Sequence, residues 1–333
     1  MISNRYPGNY DERDINKFRD FISYAEPGFS KRKVSNHFVT NSGIVFSIRS
    51  GLVQGSVFPG IGKKMYFIKV AAGNFLLKKK LSLHSKDYLL IHNLWSIGGY
   101  YHWLVESLVR LWRYREQLDD LILLLPERAK KHSFIQDSLQ LFDVKNVYYT
   151  PSDKLMKVGN LHLADNPEMT GYHNAGYLRA LRQYLVSQVS NHPVKSYPER
   201  IYVSRQRARS RKIVNNAALE NVLKDHGFTT LYMEDLTFTE QIAVFSQAEV
   251  IISPHGAALT NMMFMKKGAA VLELISEKVD AYMIYWSLAN ALQLEYYYFL
   301  CPQANDSQSF DLADLHAPLT QISNFLSTLN QRD

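Results

Sequence analysis

The sequence predicts an α/β protein of two domains behind a β-rich opening, and three observations carry that prediction. A chain of 333 residues is longer than one hydrophobic core ordinarily organises, so two cores are expected. Strand-like and helix-like apolar periods alternate from about Asp87 onwards, the pattern of a mostly parallel sheet covered by helices. The stretch SNHPVKSYPER, with two prolines and little apolar content, interrupts this alternation and sets domains at 1–190 and 191–333.

The elements follow in order. From Val34 to Lys80 the runs HFVT, GIVFSI, MYFIKVA and NFLL predict antiparallel strands. DYLLIH is then a strand, YYHWLVESLVRLWRYREQL an amphipathic helix, LILLLP a buried strand, FIQDSLQLF a helix and NVYYT a strand. A helix from Ala175 to Val189 closes the first domain. In the second, RIYVS is a strand, Asn215 or Asn216 caps the helix AALENVLKDH, and Gly227 ends it in the left-handed conformation. TTLYM, EVIIS, AAVLELI and EYYYFL are the remaining strands. Thr237 and Glu240 have capping-box spacing before EQIAVFSQA, which gives Glu240 a structural role. A helix opens near Ala257 and ends at Lys266, Lys267 and Gly268, where the lysines meet the negative end of the dipole. Further helices cover 282–292 and 312–329, the last able to pack back on the first domain. Two Rossmann-like halves facing a cleft follow, with ligands expected beyond the carboxyl ends of the strands.

Composition narrows the class. With 46% hydrophobic and 21% charged residues the chain is globular, and no apolar run approaches the ~18 to 20 residues of a membrane-spanning helix. The polar start MISNRYPGNYDERD has no signal-peptide core. A single cysteine, Cys301, excludes an internal disulfide and fits a reducing, cytoplasmic compartment. The formal charge is +7, and seven basic residues against one acid lie between Lys195 and Asn215. Such a cluster implies an anionic partner (phosphate ligand, nucleic acid or anionic lipid), against a solvated loop as the bland alternative.

The junction EVIISPHGAALTN holds the densest chemistry. Pro254 ends a strand ladder, and Gly256 permits close backbone approach or a positive φ. The amides of Gly256, Ala257 and Ala258 then sit at a helix start, an anion site, with His255, Thr260 and Asn261 as added donors. Arg205 lies just past RIYVS and Arg211 follows on the same loop, and guanidinium forks suit a diphosphate. Arg207 and Arg209 are expected to face water. Glu273 interrupts an apolar strand, where it either accepts from ribose hydroxyls or sits on an exposed strand end. His102 and Glu106, four apart on one helix face, form a candidate general base and its orienting carboxylate, or an ordinary polar pair. The twenty-one tyrosines read as core and receive no site. No metal-ligand cluster, dinucleotide fingerprint, phosphate-binding loop or nucleophile elbow is present in the sequence, so neither a metal nor a cofactor is expected.

Taken in order, GGYYHWLVESLVRLW, RIYVSRQRARSRKIVNN, MEDLTFTEQIAVFSQAEVIISPHGAALTNMMFMKKGAAVLELI and DAYMIYWSLANALQLEYYYF resemble glycosyltransferase family 61, a group also known from bacterial capsular polysaccharide proteins. The likeness runs from about Asp87 to Leu300 and is strongest from Ile201 to Glu273. Gly99 stands where members often carry Asn, and Ala258 where they often carry Gly. The resemblance implies a GT-B fold and inverting transfer from a nucleotide sugar to a glycan acceptor, with donor contacts at Ser204, Arg205, Arg211, His255, Gly256, Ala257, Thr260, Asn261 and Glu273. Peripheral membrane or polysaccharide-assembly partners are compatible with it. The competing readings are a basic nucleic-acid-binding module centred on Lys195 to Lys212 and a sugar-nucleotide-binding protein without catalysis. Scarce aromatics in the basic segment argue against stacking on single strands.

Overall fold

The computed structural model describes residues 1–58, 61–190 and 196–329. The chain forms two compact units, Glu26–Leu181 and Met1–Ala25 together with Arg182–Asp333. The division therefore falls inside the helix Ala175–Ser190, and the first residues of the chain belong with its second half.

The unit of residues 26–181 is built on seven strands: β1 (Lys31–Val39), β2 (Val45–Ser47), β3 (Gly51–Leu52), β4 (Lys79–Leu90), β5 (Ile122–Pro126), β6 (Val147–Thr150) and β7 (Lys154–Ala164). Their order in the sheet is β3-β2-β1-β7-β4-β5-β6. The β3, β2, β1 and β7 pairings are antiparallel, whereas β7, β4, β5 and β6 run parallel. Neighbouring residues of one strand fall into different clusters: Val39, Val45 and Met156 line one face with Leu90 and Leu124, while Phe38, Phe46 and Leu155 line the other. That is the period-two alternation of a sheet covered on both sides.

One element departs from the expectation, and a second was not anticipated. The runs MYFIKVA and NFLL are not strands but lie in one helix, Ile61–Leu77. Phe67 and Ala71 are buried at helical spacing with Val70 and Phe75 beside them, yet Met65, Tyr66, Ile68, Leu76 and Leu77 are exposed apolar residues. These fill the face that would be polar in an ordinary amphipathic helix, so the 3.6-residue period is masked. The second is β7, which lies next to β4 near the middle of the sheet although its sequence reads as broken by Lys157, Gly159, Asn160 and His162. Its polar members are satisfied by the neighbouring strand: Asn160 Nδ2 and His162 Nε2 meet the Asp87 carboxylate at 2.8 and 3.0 Å, and Lys33 reaches the same group at 2.8 Å. Lys33 first, then His162, hold the Asp87 carboxyl down at about 2.

The second unit carries β8 (Arg200–Val203), β9 (Thr229–Leu231), β10 (Val250–Pro254), β11 (Ala270–Ser276) and β12 (Glu295–Cys301), all parallel, in the order β9-β8-β10-β11-β12. β10 and β11 are buried throughout, as expected of strands covered on both faces. Thr237 and Glu240 form the capping box anticipated from their spacing, worth about 1 kcal/mol. Gly227 ends the helix Asn216–Asp225 with φ of 79°. The last helix, Leu319–Leu329, buries Ile322 and Leu326 against Leu219, Leu223 and Phe299 in the core of this same unit.

Residues 1–25 close the free side of β12. Gly8 N donates to Tyr296 O at 2.9 Å, and Asn9 bridges to Tyr298, its Nδ2 reaching the carbonyl at 2.6 Å and its Oδ1 accepting from the amide at 3.2 Å. Trp286, fully buried, donates Nε1 to Arg5 O at 2.8 Å, and Phe18 packs edge-on against Trp286 and Tyr298. An exposed parallel edge would template pairing with other chains, and this segment removes it. Among the described residues no helix is long and apolar enough to cross a membrane.

Candidate functional site

The strand order dictates where the second unit can bind a ligand. From β8 the chain moves outward to β9 and then returns past β8 to β10, so successive connections leave β8 and β10 in opposite directions. A crevice opens at such a switch point, beyond the carboxyl ends of the two strands. Ser204 and Arg205 follow β8, His255 and Gly256 follow β10, and the register pairing Tyr202 with Ile252 makes the two exits neighbours.

Gly256 shows how close they are. Its φ of 168° and ψ of 169° are extended and open to any residue; what requires glycine is space. A Cβ there would lie 2.1 Å from Arg205 Nη1 and 2.8 Å from Cζ. The arginine guanidinium thus rests on the backbone that opens the tightly wound helix Ala257–Phe264. Ala257 is exposed, and the first amides of this helix have no intrahelical acceptor.

Arg211 approaches from the same loop. Its φ of 60° is left-handed, a conformation costing a non-glycine residue about 1 kcal/mol and kept where the surroundings demand it. The Nε atoms of Arg205 and Arg211 are buried without a hydrogen-bond partner, and among the described residues neither side chain forms an ion pair. Arg205 Nη2 donates to Ser210 O at 3.3 Å. Burial, then the charge of Arg211, depress the Arg205 pKa to about 10, which leaves it protonated at neutral pH. Two partly buried cations that form no ion pair among the described residues, next to a helix start, are the kind of groups to which an anion binds.

His255 is held from behind. Its Nδ1 bonds to Glu273, whose second oxygen accepts from the Tyr296 hydroxyl. Glu273 was expected to offer its oxygens to ribose hydroxyls or to sit on an exposed strand end; it is fully buried with both oxygens engaged inside the protein, and it fixes the ring of His255. Tyr285 and Tyr282 flank that ring, with centroids 5.2 and 5.7 Å away. These tyrosines, read from the sequence as core, help to build the site. The available signal was Glu273 itself: a carboxylate inside an apolar strand demands donors from its neighbours, and EYYYFL supplies hydroxyls.

The other expected donor contacts separate by environment. Ser204 is buried, accepting from Gln206 N at 3.4 Å. Thr260 is buried next to the Tyr285 phenol. Asn261 donates Nδ2 to Gln241 Oε1 at 2.8 Å and has no exposed surface, so it ties two helices together at this site. Of the basic segment, Arg200 donates to His226 O and lies over Phe228, Arg207 pairs with Asp235, and Arg207 and Arg209 are exposed. Lys195 lies outside the described residues.

His102 and Glu106 belong to the unit of residues 26–181, at the start of the helical segment 100–113, which contains a wide π-helical turn at Trp103–Ser107. His102 Nδ1 lies 3.0 Å from Glu106 Oε1, and Asn93 Nδ2 donates to Oε2 at 2.7 Å. Glu106 is buried and the His102 side chain is 22% exposed. The nearby Arg110, buried and lowered to about 10 by desolvation against the pull of Glu106, donates to the Glu106 backbone oxygen and to Ser107 Oγ, both at 3.3 Å. With Nδ1 on Glu106, the other ring nitrogen of His102 is the one left for chemistry. Asn93 was not anticipated from the sequence. Gly99 is required here because a Cβ would fall 2.3 Å from the Trp95 carbonyl oxygen.

The chain is 28% identical over 117 residues to the EGF domain-specific O-linked N-acetylglucosamine transferase of Gallus gallus, covering 33% of this chain and 22% of that protein. The Drosophila melanogaster protein of the same name is 28% identical over 116 residues, with the same coverage. Protein O-linked-mannose beta-1,4-N-acetylglucosaminyltransferase 2 of Bos taurus is 34% identical over 97 residues, covering 27% and 17%. The matched region spans less than a quarter of each of these relatives. The sequence profile of glycosyltransferase 61 matches residues 100–272, from the helix of His102 to the strand of Glu273. That is just over half of the chain, and the protein belongs to glycosyltransferase family 61.

Proposed function

We propose that this glycosyltransferase is an inverting enzyme of GT-B type that moves a sugar from a nucleotide diphosphate donor to a hydroxyl of a glycan acceptor. The observation that carries the donor assignment is the pair Arg205 and Arg211, two cations at the point where β8 and β10 diverge whose buried Nε atoms have no hydrogen-bond partner and which form no ion pair among the described residues. In this reading Arg205, Arg211 and the amides at Ala257 receive the diphosphate, Ser204 shapes the floor, and His255, held by Glu273, donates to the donor from the free face of its ring. Thr260 and Asn261 support the helix from below.

His102 takes the acceptor proton on Nε2 while Glu106 holds Nδ1–H. The acceptor oxygen attacks the anomeric carbon on the face opposite the diphosphate, and the C–O bond to phosphate breaks through an oxocarbenium-like state, inverting the centre. The electron pair leaves on the diphosphate, where the two guanidiniums stabilise it. Charge is thus supplied by arginine and backbone, and no metal is assigned a step. The relatives named above are N-acetylglucosamine transferases by name, which puts a donor bearing that sugar first for testing. The setting in bacterial capsular or other surface polysaccharide synthesis, on the cytoplasmic side, is supported by the family resemblance and by the lone cysteine.

The test is a thermal-shift screen with UDP, GDP, CDP, CMP, ADP and NAD, with and without EDTA and divalent metal. A ligand that binds the native state raises the melting temperature. One nucleoside diphosphate should do so irrespective of EDTA. No shift with any nucleotide, together with salt-sensitive DNA or RNA binding, would replace the transferase reading with the basic binding module.

Gly256→Ala gives a finer check. The added methyl meets the movable end of Arg205 rather than backbone, so the fold should survive with little change in melting temperature while affinity for the active nucleotide drops about tenfold. Unchanged affinity by calorimetry would show that the seating of Arg205 on the helix start does not matter for the anion.

A further inference from the structure

The helix Ile61–Leu77 has one anchored face and one unexplained face. Phe67 and Ala71 are buried beside Phe38, Phe46, Phe58 and Leu155. At 100° per residue, Met65, Ile68, Ala72 and Leu76 form a stripe about 125° round the helix from Phe67 and Ala71. Met65 is 53%, Ile68 41% and Leu76 77% exposed, and Leu77 at the end is 87% exposed. The outward face of a helix on a globular unit is ordinarily polar, so this stripe asks for an occupant.

Charge identifies it. Residues 61–80 contain six lysines and neither Asp nor Glu; Lys63, Lys64, Lys69, Lys79 and Lys80 are exposed. A second copy of the same face would bring lysines against lysines. Nucleic acid would use the lysines and leave the apolar stripe in water. An anionic bilayer uses both, taking the apolar side chains into the headgroup boundary while lysine stems reach up to lipid phosphates. At about 25 Å long, the helix suits lying in the plane of the surface.

We propose that the exposed face of Ile61–Leu77 docks this protein on an anionic membrane. The helix begins close to the candidate base: Lys63 Nζ lies 6.0 Å from the centre of the Trp95 ring, and that ring lies 5.7 Å from the ring of His102. Resting on the reading of His102 as acceptor base, docking would bring acceptors carried on lipid to the residue that activates them.

The experiment is co-sedimentation of the full chain with vesicles of phosphatidylcholine alone or mixed with phosphatidylglycerol, in the absence of sugar donor. The protein should sediment with the mixed vesicles only, and less as salt rises. Replacing Lys63, Lys64 and Lys69 by Gln should weaken partitioning about fivefold per lysine. The pair Leu76→Ser and Leu77→Ser should weaken it at least about tenfold, with melting temperatures unchanged because these side chains are exposed. Equal binding to both vesicle types, or binding untouched by both sets of variants, would overturn the proposal. So would pelleting or dimerisation without vesicles that the serine variants abolish, which would assign the face to self-association. Docking lost while the nucleotide shift persists overturns docking alone, and docking retained without any nucleotide shift overturns the transferase reading alone.

Discussion

His102→Ala is expected to lower sugar transfer by about 10²- to 10⁴-fold, the contribution of a positioned general base, while the nucleotide-induced rise in melting temperature stays as in the native protein. The separation follows from placement. His102 and its partners Glu106 and Asn93 lie in the unit of residues 26–181, whereas Arg205, Arg211 and His255 lie in the other. Removing the imidazole deletes the proton acceptor but no group assigned to the diphosphate. Glu106→Gln should cause a smaller loss, because the amide can still hold the ring but not favour its charged form. Glu106→Ala is a poorer probe, since it would take from Asn93 its 2.7 Å acceptor and from the buried Arg110 a nearby negative charge. Turnover of His102→Ala close to native would remove this residue as the base.

Arg205→Ala should reduce affinity for the nucleoside diphosphate about 10- to 100-fold, the worth of one or two hydrogen bonds to a charged group. Its effect on the ligand-free protein should run the other way. Arg205 is desolvated and faces the like charge of Arg211, so its loss relieves an unfavourable arrangement and the melting temperature should hold or rise. Arg205→Lys keeps the charge but not the fork and should fall between. Calorimetry of nucleotide binding together with ligand-free melting decides the matter: a lower melting temperature with unchanged affinity would make Arg205 structural.

The second unit was legible because its strands are short apolar runs bounded by caps and glycines. Gly227, the Thr237 and Glu240 box and the turn at Pro254 each carried a local cause. The site was legible to the extent that residues sit next to strand ends: Arg205 and His255 could be paired from the topology alone. Which atoms they use was not. The sequence cannot show that Glu273 spends both oxygens on His255 and Tyr296, that Asn261 faces Gln241, or that Asn93 steadies Glu106, because these contacts depend on register and rotamer across distant strands. The helix at Ile61–Leu77 was hidden for another reason. Its outward face is apolar, so the usual contrast between faces that reveals a helix is absent.

The dependence of β12 on residues 1–25 has a consequence for how the protein is made. Those residues precede the unit of 26–181 in the chain, yet the tyrosines they cover come almost three hundred positions later. Contacts this distant in sequence are slow to form. The opening segment, paired within itself through Ile2–Ser3 and Ser23–Tyr24, gains its place beside β12 only after that strand has joined the sheet. Until then the sheet edge is open, and the interval between release and docking is when a nascent chain of this protein is most exposed to pairing with its neighbours.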